Sequence, residues 1–376
     1  MSLFIGFMIS LFLLIGLITG LTPFMGRKSS QFGVSLPENY QEDPQLKKWM
    51  KQYCFITVLS SVLFSLPFLW FTRNKDAVQT EMQLGIYSVV GIAAVLAVSG
   101  LAYLVIHKKV STWKKNLPKT ADQDSGQEIV VELNYRKKGT TISNILIIIS
   151  NLIIISGTAF ATWLNYQQIP ETFPIHWGID FKPDRFATKS VKTVFGLLAV
   201  QLIMIIIFVI SNYSIKNAKQ SLNPKNASVS SLKNRLFRQA WSRFTLVISI
   251  LTQLLMSALQ LATVFVNDVE IQWFIYLTIG YTILVIVYAI VLSMKYGQDG
   301  ERLKMADSLE EKDTLEYRYN EDQYWKLGVF YYNPADPSIW VEKRFGVGTT
   351  TNFARWQSWA IIVGILILAF SPLLFL

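Results

Sequence analysis

Charge is scarce in this chain. Charged residues are 16% of 376, where soluble globular chains carry about 25%. Cysteine is nearly absent. The single Cys54 stands in an apolar run, which excludes a disulfide framework and a cysteine-based zinc site. Histidine occurs twice, as His107 and His176. The hydrophobic share is 52% and the mean hydropathy +0.35, so the chain is not intrinsically disordered. The little charge present is unbalanced, with 35 Lys and Arg against 25 Asp and Glu, a net +10. A basic balance points to nucleic acid or a membrane surface. The overall deficit of charge argues against a soluble nucleic-acid binder, and no nucleic-acid partner is expected.

Long apolar runs supply the alternative. A membrane-crossing helix needs about 20 mostly apolar residues. Eight stretches qualify: Leu3–Leu21, Tyr53–Phe71, Leu84–Ile106, Ser143–Leu164, Val191–Ile210, Phe244–Val266, Trp273–Met294 and Trp359–Leu376. None contains Asp, Glu or Arg, and Lys192 sits at the mouth of the fifth. Eight buried soluble helices of this length would leave almost nothing to cover them. The first run lacks a basic leader and an A-x-A-like cleavage site, so it is read as a retained span. Trp70, Trp163, Trp241, Trp273 and Trp359 stand at or near span ends, where amphipathic rings prefer to lie.

Lys and Arg concentrate in cytoplasmic loops. Alternate loops hold 29 basic residues on one side and 6 on the other. The first set is assigned to the cytoplasm, which places both termini outside. The expected fold is all-α and polytopic, with about eight transmembrane helices. Residues 1–294 form a seven-helix region. Residues 295–358 form a cytoplasmic loop with an antiparallel β module over 321–355, and 359–376 form the last helix.

The loops carry the remaining chemistry. Pro44 followed by Leu46, Trp49, Met50 and Tyr53 predicts a short amphipathic helix, or a simple extension of span two into the headgroups. Glu128–Tyr135 reads as a strand. The stretch 216–243 has seven basic and no acidic residues, which suits anionic lipid headgroups. Gln298–Asn320 is charged, and expected to be helical or mobile. Beyond it, Trp325–Tyr332, Ser338–Arg344 and Thr349–Phe353 read as a three-stranded meander separated by turn clusters. Such a small sheet is marginal alone. It is expected to pack on the inner membrane surface or on the Glu128–Tyr135 strand.

One external loop, 169–190, clusters His176, Asp180, Asp184 and Arg185. The sharper reading is a metal or catalytic site. Pro174 and Pro183 argue against the continuous helix that would put these groups on one face. A closed zinc site wants four ligands, commonly His or Cys, and the only other His is His107, on the side assigned to the cytoplasm. A structural His–Asp hydrogen bond is the preferred reading, with no metal, no cofactor and no enzymatic activity expected. Span polar residues are neutral: Asn144, Asn151, Gln201, Gln253 and Gln260. They are read as interhelical hydrogen-bonding groups, which lowers the case for an ion-coupled pump.

Two motif groups resemble known families. Pro174-x-His176-Trp177 followed by Lys182-Pro183-Asp184-Arg185-Phe186-x-x-Lys189 resembles DUF1648, a family shared with an immunity protein against a sporulation-delaying toxin of bacilli. Gly178 and Phe181 stand where that family usually has Asn and Gly. Phe32-Gly-Val-x-x-Pro37 through Tyr53 looks like the start of such proteins. Tyr324 through Phe353, with Tyr332-Asn333-Pro334-x-Asp336-Pro337, Glu342, Arg344 and Asn352, resembles DUF5808. The combination resembles bacterial integral membrane proteins of unassigned activity. It implies a ligand-binding loop at His176, Trp177, Asp180, Pro183, Asp184, Arg185 and Lys189, facing a peptide or protein outside. The leading expectation is a non-enzymatic sensor or immunity-type factor of the cytoplasmic membrane. The alternatives are a transporter of a peptide, lipid or other apolar solute, and a membrane enzyme using His176 and Asp184.

Overall fold

The computed structural model describes residues 2–71, 77–118, 141–178, 182–220, 227–265, 272–305 and 322–370. In chain order its elements are α1 (Ser2–Met25), β1 (Ser30–Gln31), β2 (Val34–Ser35), α2 (Pro44–Ser65), α3 (Pro67–Phe71), α4 (Ala77–Lys115), α5 (Asn144–Leu164), β3 (Thr172–Trp177), β4 (Pro183–Thr188), α6 (Val191–Asn217), α7 (Ala227–Phe265), α8 (Gln272–Tyr296), β5 (Trp325–Lys326), β6 (Phe330–Tyr331), β7 (Trp340–Glu342), β8 (Thr349–Thr351) and α9 (Trp356–Phe370). Among the described residues seven helical stretches are long and apolar enough to cross a membrane, and every sheet has two strands. The chain is an all-α multi-pass membrane protein with small β elements. The eighth expected span appears as α9, with 15 described residues. Its expected remainder, 371–376, lies outside the described residues, as does Glu128–Tyr135.

The chain divides into two compact units. The first joins Met1–Tyr135, Ala218–Phe237 and Ser293–Ala354. Within it α1 and α2 cross closely because both are small at the crossing. A Cβ added to Gly16 would stand 2.1 Å from the Ser61 hydroxyl, and one added to Gly20 2.6 Å from that of Thr57. Small residues four apart let helices pack where lipid removes any hydrophobic drive. Pro44 opens α2, and the Asp43 carboxylate caps it by accepting from the Gln45 N–H at 2.7 Å. The expected surface helix and span two are therefore one helix. Leu46, Trp49, Met50 and Tyr53 are buried at the predicted spacing, in a core with Phe32, Tyr103, Ile106 and Val110. Helix α4 has 39 residues, about 58 Å of helix against a ~30 Å hydrocarbon layer. It runs past the expected span Leu84–Ile106 and takes in Lys108–Lys115.

Two hairpin turns meet in this unit. Phe32 and Gly33 join β1 to β2 with φ of 48° and 76°, the left-handed pair that a two-residue type I′ turn requires. Leu327 and Gly328 stand between β5 and β6 with φ of 54° and 73°. A Cβ on Gly33 would lie 2.4 Å from the Gly328 Cα, so the turns touch backbone to backbone. The Tyr103 hydroxyl donates to the Leu327 carbonyl at 2.9 Å, and His107 Nδ1 to the Phe32 carbonyl at 2.7 Å.

The expected meander is corrected here. The left-handed residues fold Trp325–Tyr332 back on itself, so the stretch is a hairpin rather than one strand. A second hairpin pairs β7 with β8. The two are linked by a parallel bridge between Tyr331 and Asn352 and by the Phe353 N–H on the Tyr331 carbonyl at 2.9 Å. The module packs on α2, α4 and the β1–β2 turn. The Phe345 ring lies 5.5 Å from Phe32, 5.9 Å from Tyr53 and 4.6 Å from Tyr103.

The second unit joins Arg136–Asn217, Arg238–Leu292 and Arg355–Leu376. Its helices are sewn by the neutral polar residues, as the sequence reading expected. Asn151 Nδ2 donates to Ser249 Oγ at 3.0 Å, and Thr158 pairs with Ser257 at 2.8 Å. Gln253 Nε2 donates to the Gln201 carbonyl at 3.0 Å, and Gln260 Nε2 to the Val194 carbonyl at 2.6 Å. Asn212 joins Asn144 at 2.6 Å.

The turn-on-turn contact is testable. Gly33→Ala adds a methyl where φ is positive and backbone is in the way. It should destabilise the protein by about 1–3 kcal/mol. Gly85→Ala, with nothing within 4 Å of the added methyl, should be neutral or slightly stabilising. Thermal unfolding in detergent compares the two.

Candidate functional site

The external loop of the sequence reading is a hairpin. Proline at 174 and 183 suits strand edges better than helix interiors, and β3 pairs with β4 from Thr172↔Thr188 to Trp177↔Pro183. Register shifts flank His176. These place His176 opposite Arg185, and its Nδ1 donates to the Asp184 carboxylate at 2.6 Å. The hydrogen bond to His176 holds the Asp184 carboxyl below its usual range. Both side chains remain about 40% exposed.

The base of the hairpin is anchored. Ile169 and Phe173 are buried with Val194 and Val264. Lys189 donates to the Ile169 carbonyl at 2.9 Å and lies over the Tyr166 ring at 5.1 Å. Lys189 is therefore a closing group of the base. Pro183 and Arg185 are exposed, and Arg185 makes no ion pair among the described residues. Trp177 keeps a buried Nε1–H with no acceptor there. Asp180 lies outside the described residues. No group of three His, Cys, Asp or Glu that could hold a metal ion occurs among the described residues. The arrangement offers a solvent-reachable donor–acceptor couple beside the exposed Arg185 guanidinium, whose charge also favours the ionised Asp184.

The second motif group behaves differently. Asn333, Asp336 and Asn352 are buried, and the Asn352 side chain binds the backbone of the other two. Asn352 Oδ1 accepts from the Asn333 N–H at 3.1 Å, while its Nδ2 donates to the Asn333 and Asp336 carbonyls at 2.9 and 3.2 Å. Asp336 accepts from the Tyr331 hydroxyl at 2.8 Å and pairs with Lys219 at 2.9 Å. Burial raises the Asp336 pKa, but the Ser338 N–H, Lys219 and Tyr331 outweigh it and leave the carboxyl low. Glu342 pairs with Arg27 at 2.7 Å and accepts from Asn234 at 3.0 Å. Arg344 pairs with Asp322 and lies over the Trp325 ring at 5.3 Å, a cation–π contact. Tyr332, Pro334 and Pro337 remain exposed.

Sequence reasoning missed the partners of this module. Arg27 bonds both Asp299 and Glu342, at separations of 272 and 315 residues. Asp322 accepts from Lys114 at 2.6 Å, from Ser35 Oγ at 2.9 Å and from Arg344. No spacing rule links residues that far apart. The one local signal was an arginine six residues past the end of an apolar run.

A multi-pass membrane protein with a helix–hairpin–helix segment and a small β module is the class this geometry defines. Residues 152–211 match the family described as a domain of unknown function, DUF1648. That match takes in most of α5, the β3–β4 hairpin and most of α6. Residues 334–359 match a family of unknown function, DUF5808, from the Asn333 turn into the start of α9. No curated protein and no solved structure matches the chain.

Asp322 gives the module a pH signature. Burial raises its pKa, but Arg344 and Lys114 outweigh burial and leave it below the ordinary 3.8. A depressed carboxyl stabilises the fold fully above its unfolded value and loses that contribution as pH falls through the folded value. Hydrogen-exchange protection over 325–352, taken relative to the intrinsic rate at each pH, should therefore fall as pH drops below about 4. Asp322→Asn should weaken the module by about 2 kcal/mol at neutral pH, short of a fully buried pair because the carboxylate keeps 29% exposure. It should also flatten the acid loss, with Asp336 supplying the remainder.

Proposed function

We propose that the chain is a non-enzymatic envelope factor of a bacterial cytoplasmic membrane, of the sensor or immunity type. Its β3–β4 hairpin faces an external peptide or protein ligand. The loop charges of the sequence support this orientation, with both termini outside and the β module inside. The observation that carries the reading is the exposed His176–Asp184 couple beside Arg185. The three groups are reachable from solvent, as contact with a ligand requires. The immunity-type reading leans on the DUF1648 match of this same segment. The segment 216–243 is proposed to lie against anionic headgroups, although Lys219 and Arg238 are engaged within the protein.

A second reading is transport of a peptide, lipid or other apolar solute. One observation favours it. The side-chain oxygens of Asn151, Gln201 and Gln253 are buried with no donor among the described residues. A passing polar group would meet them.

The readings separate in cells and vesicles. A deletion strain is screened against envelope-active peptides, and the gene is returned as wild type, His176→Ala or Asp184→Ala. The ligand reading expects both variants to lose at least tenfold in protection or response while their melting temperatures stay near wild type. Full protection by both variants removes the hairpin from the mechanism. Solute flux into proteoliposomes that falls in Gln253→Leu supports transport, and flux that survives it counts against.

A further inference from the structure

We infer that the exposed face of α2 at Lys48 and Lys51 is a binding site for one anionic phospholipid, headgroup on the lysines and acyl chain along Phe55 and Leu59. The site is separate from the 216–243 segment and independent of the ligand reading above; it needs only that α2 crosses the membrane.

Four observations meet here. Leu46, Trp49, Met50 and Tyr53 are buried, which fixes the rotation of α2 about its axis. The opposite face therefore turns outward, and it carries Lys47, Lys48, Lys51 and Gln52 within two turns, all exposed. These lysines stand at spacings of three and four, where helix side chains are neighbours and like charges repel. Among the described residues Lys48 and Lys51 have no acidic partner. Lys47 reaches Glu42 only at 3.6 Å, and that carboxylate is shared with Lys28 at 3.1 Å. A bound phosphate relieves the repulsion that the protein leaves in place.

The same face then changes character without a break. Phe55 is 66% exposed, and Leu59 and Leu63 follow it outward. Lys48 and Phe55 are seven residues apart, about 10 Å along the axis. That is the step from phosphate level to the first acyl carbons, and flexible lysine stems can adjust within it. A groove of about 590 Å³ lies on this face, lined by Pro44, Lys47, Lys48, Lys51, Gln52 and Phe55. Cationic groups at one end and apolar wall at the other match an amphiphile better than a soluble anion. Anionic headgroups near a membrane surface are attracted by each such lysine.

The test uses the full chain purified in detergent, with phosphatidylglycerol titrated in and bound lipid counted by native mass spectrometry. Wild type should retain phosphatidylglycerol over phosphatidylcholine. The pair Lys48→Gln with Lys51→Gln should weaken phosphatidylglycerol about 30-fold, and Lys51→Gln alone by a lesser factor. The pair Lys48→Arg with Lys51→Arg should retain it. Lys108→Gln with Lys109→Gln, exposed lysines on α4, should change it less than threefold. Equal retention by wild type and the Lys48/Lys51 glutamine pair overturns the inference. So does an equal loss in the Lys108/Lys109 pair, which would mean diffuse charge. Displacement of the lipid by millimolar glycerol 3-phosphate would overturn it too, since the site would then be a soluble phosphate site.

Discussion

A guanidinium buried just past an apolar helix has to be neutralised, and the first unit is arranged around that demand. Arg27 is 7% exposed. It meets Asp299 and Glu342, and Asn234 donates to both carboxylates. Four chain segments thus converge on one charge. Removing one member of such a cluster strands the others in a low-dielectric setting, which costs more than the pair itself contributes. Asp299 accepts a left-handed φ of 62° to reach its place, backbone strain that only a surrounding structure can hold. The Phe32–Gly33 and Leu327–Gly328 turns and the Phe345 ring cluster complete the same junction.

The second unit is joined by different means. Its interhelical contacts are neutral amides and hydroxyls, from Asn144–Asn212 to Thr158–Ser257. Neutral groups carry a far smaller desolvation cost than charges in hydrocarbon, and each still fixes the rotation of its helix. This is why the polar span residues could be read from the sequence. In an apolar run an amide has few roles other than bonding a neighbour.

The two motif-rich segments show how far motif reading reaches. Both stood out by residue type alone. In the β3–β4 hairpin a His–Asp hydrogen bond was legible, because two prolines argued against a helix and left ionisable groups close in one loop; that Asp184 rather than Asp180 is the partner came only from the hairpin register. In the module the same kind of signal meant something else. Asn333, Asp336 and Asn352 are used up in holding one turn to a neighbouring strand, and Glu342 and Arg344 in ion pairs. The three-strand reading of 325–353 failed because Leu327 is left-handed, a conformation its residue type does not announce. The extended α4 and α7 were missed because unbroken apolar runs set the span limits, whereas their ends carry apolar residues only at three-to-four spacing, as at Ile106, Val110 and Trp113 and at Leu232, Leu236, Phe237 and Ala240.

Sequence alone determined the membrane class, the number and place of the apolar runs, and the amphipathic start of α2. Each follows from local composition and period, which a helix turns directly into faces and lengths. Tertiary structure decided where the charges go. It alone separates Arg27, buried among carboxylates, from Lys48 and Lys51, left facing outward one helix away. The energy of a charge depends on which groups surround it in space, and those groups lie up to 315 residues away along the chain.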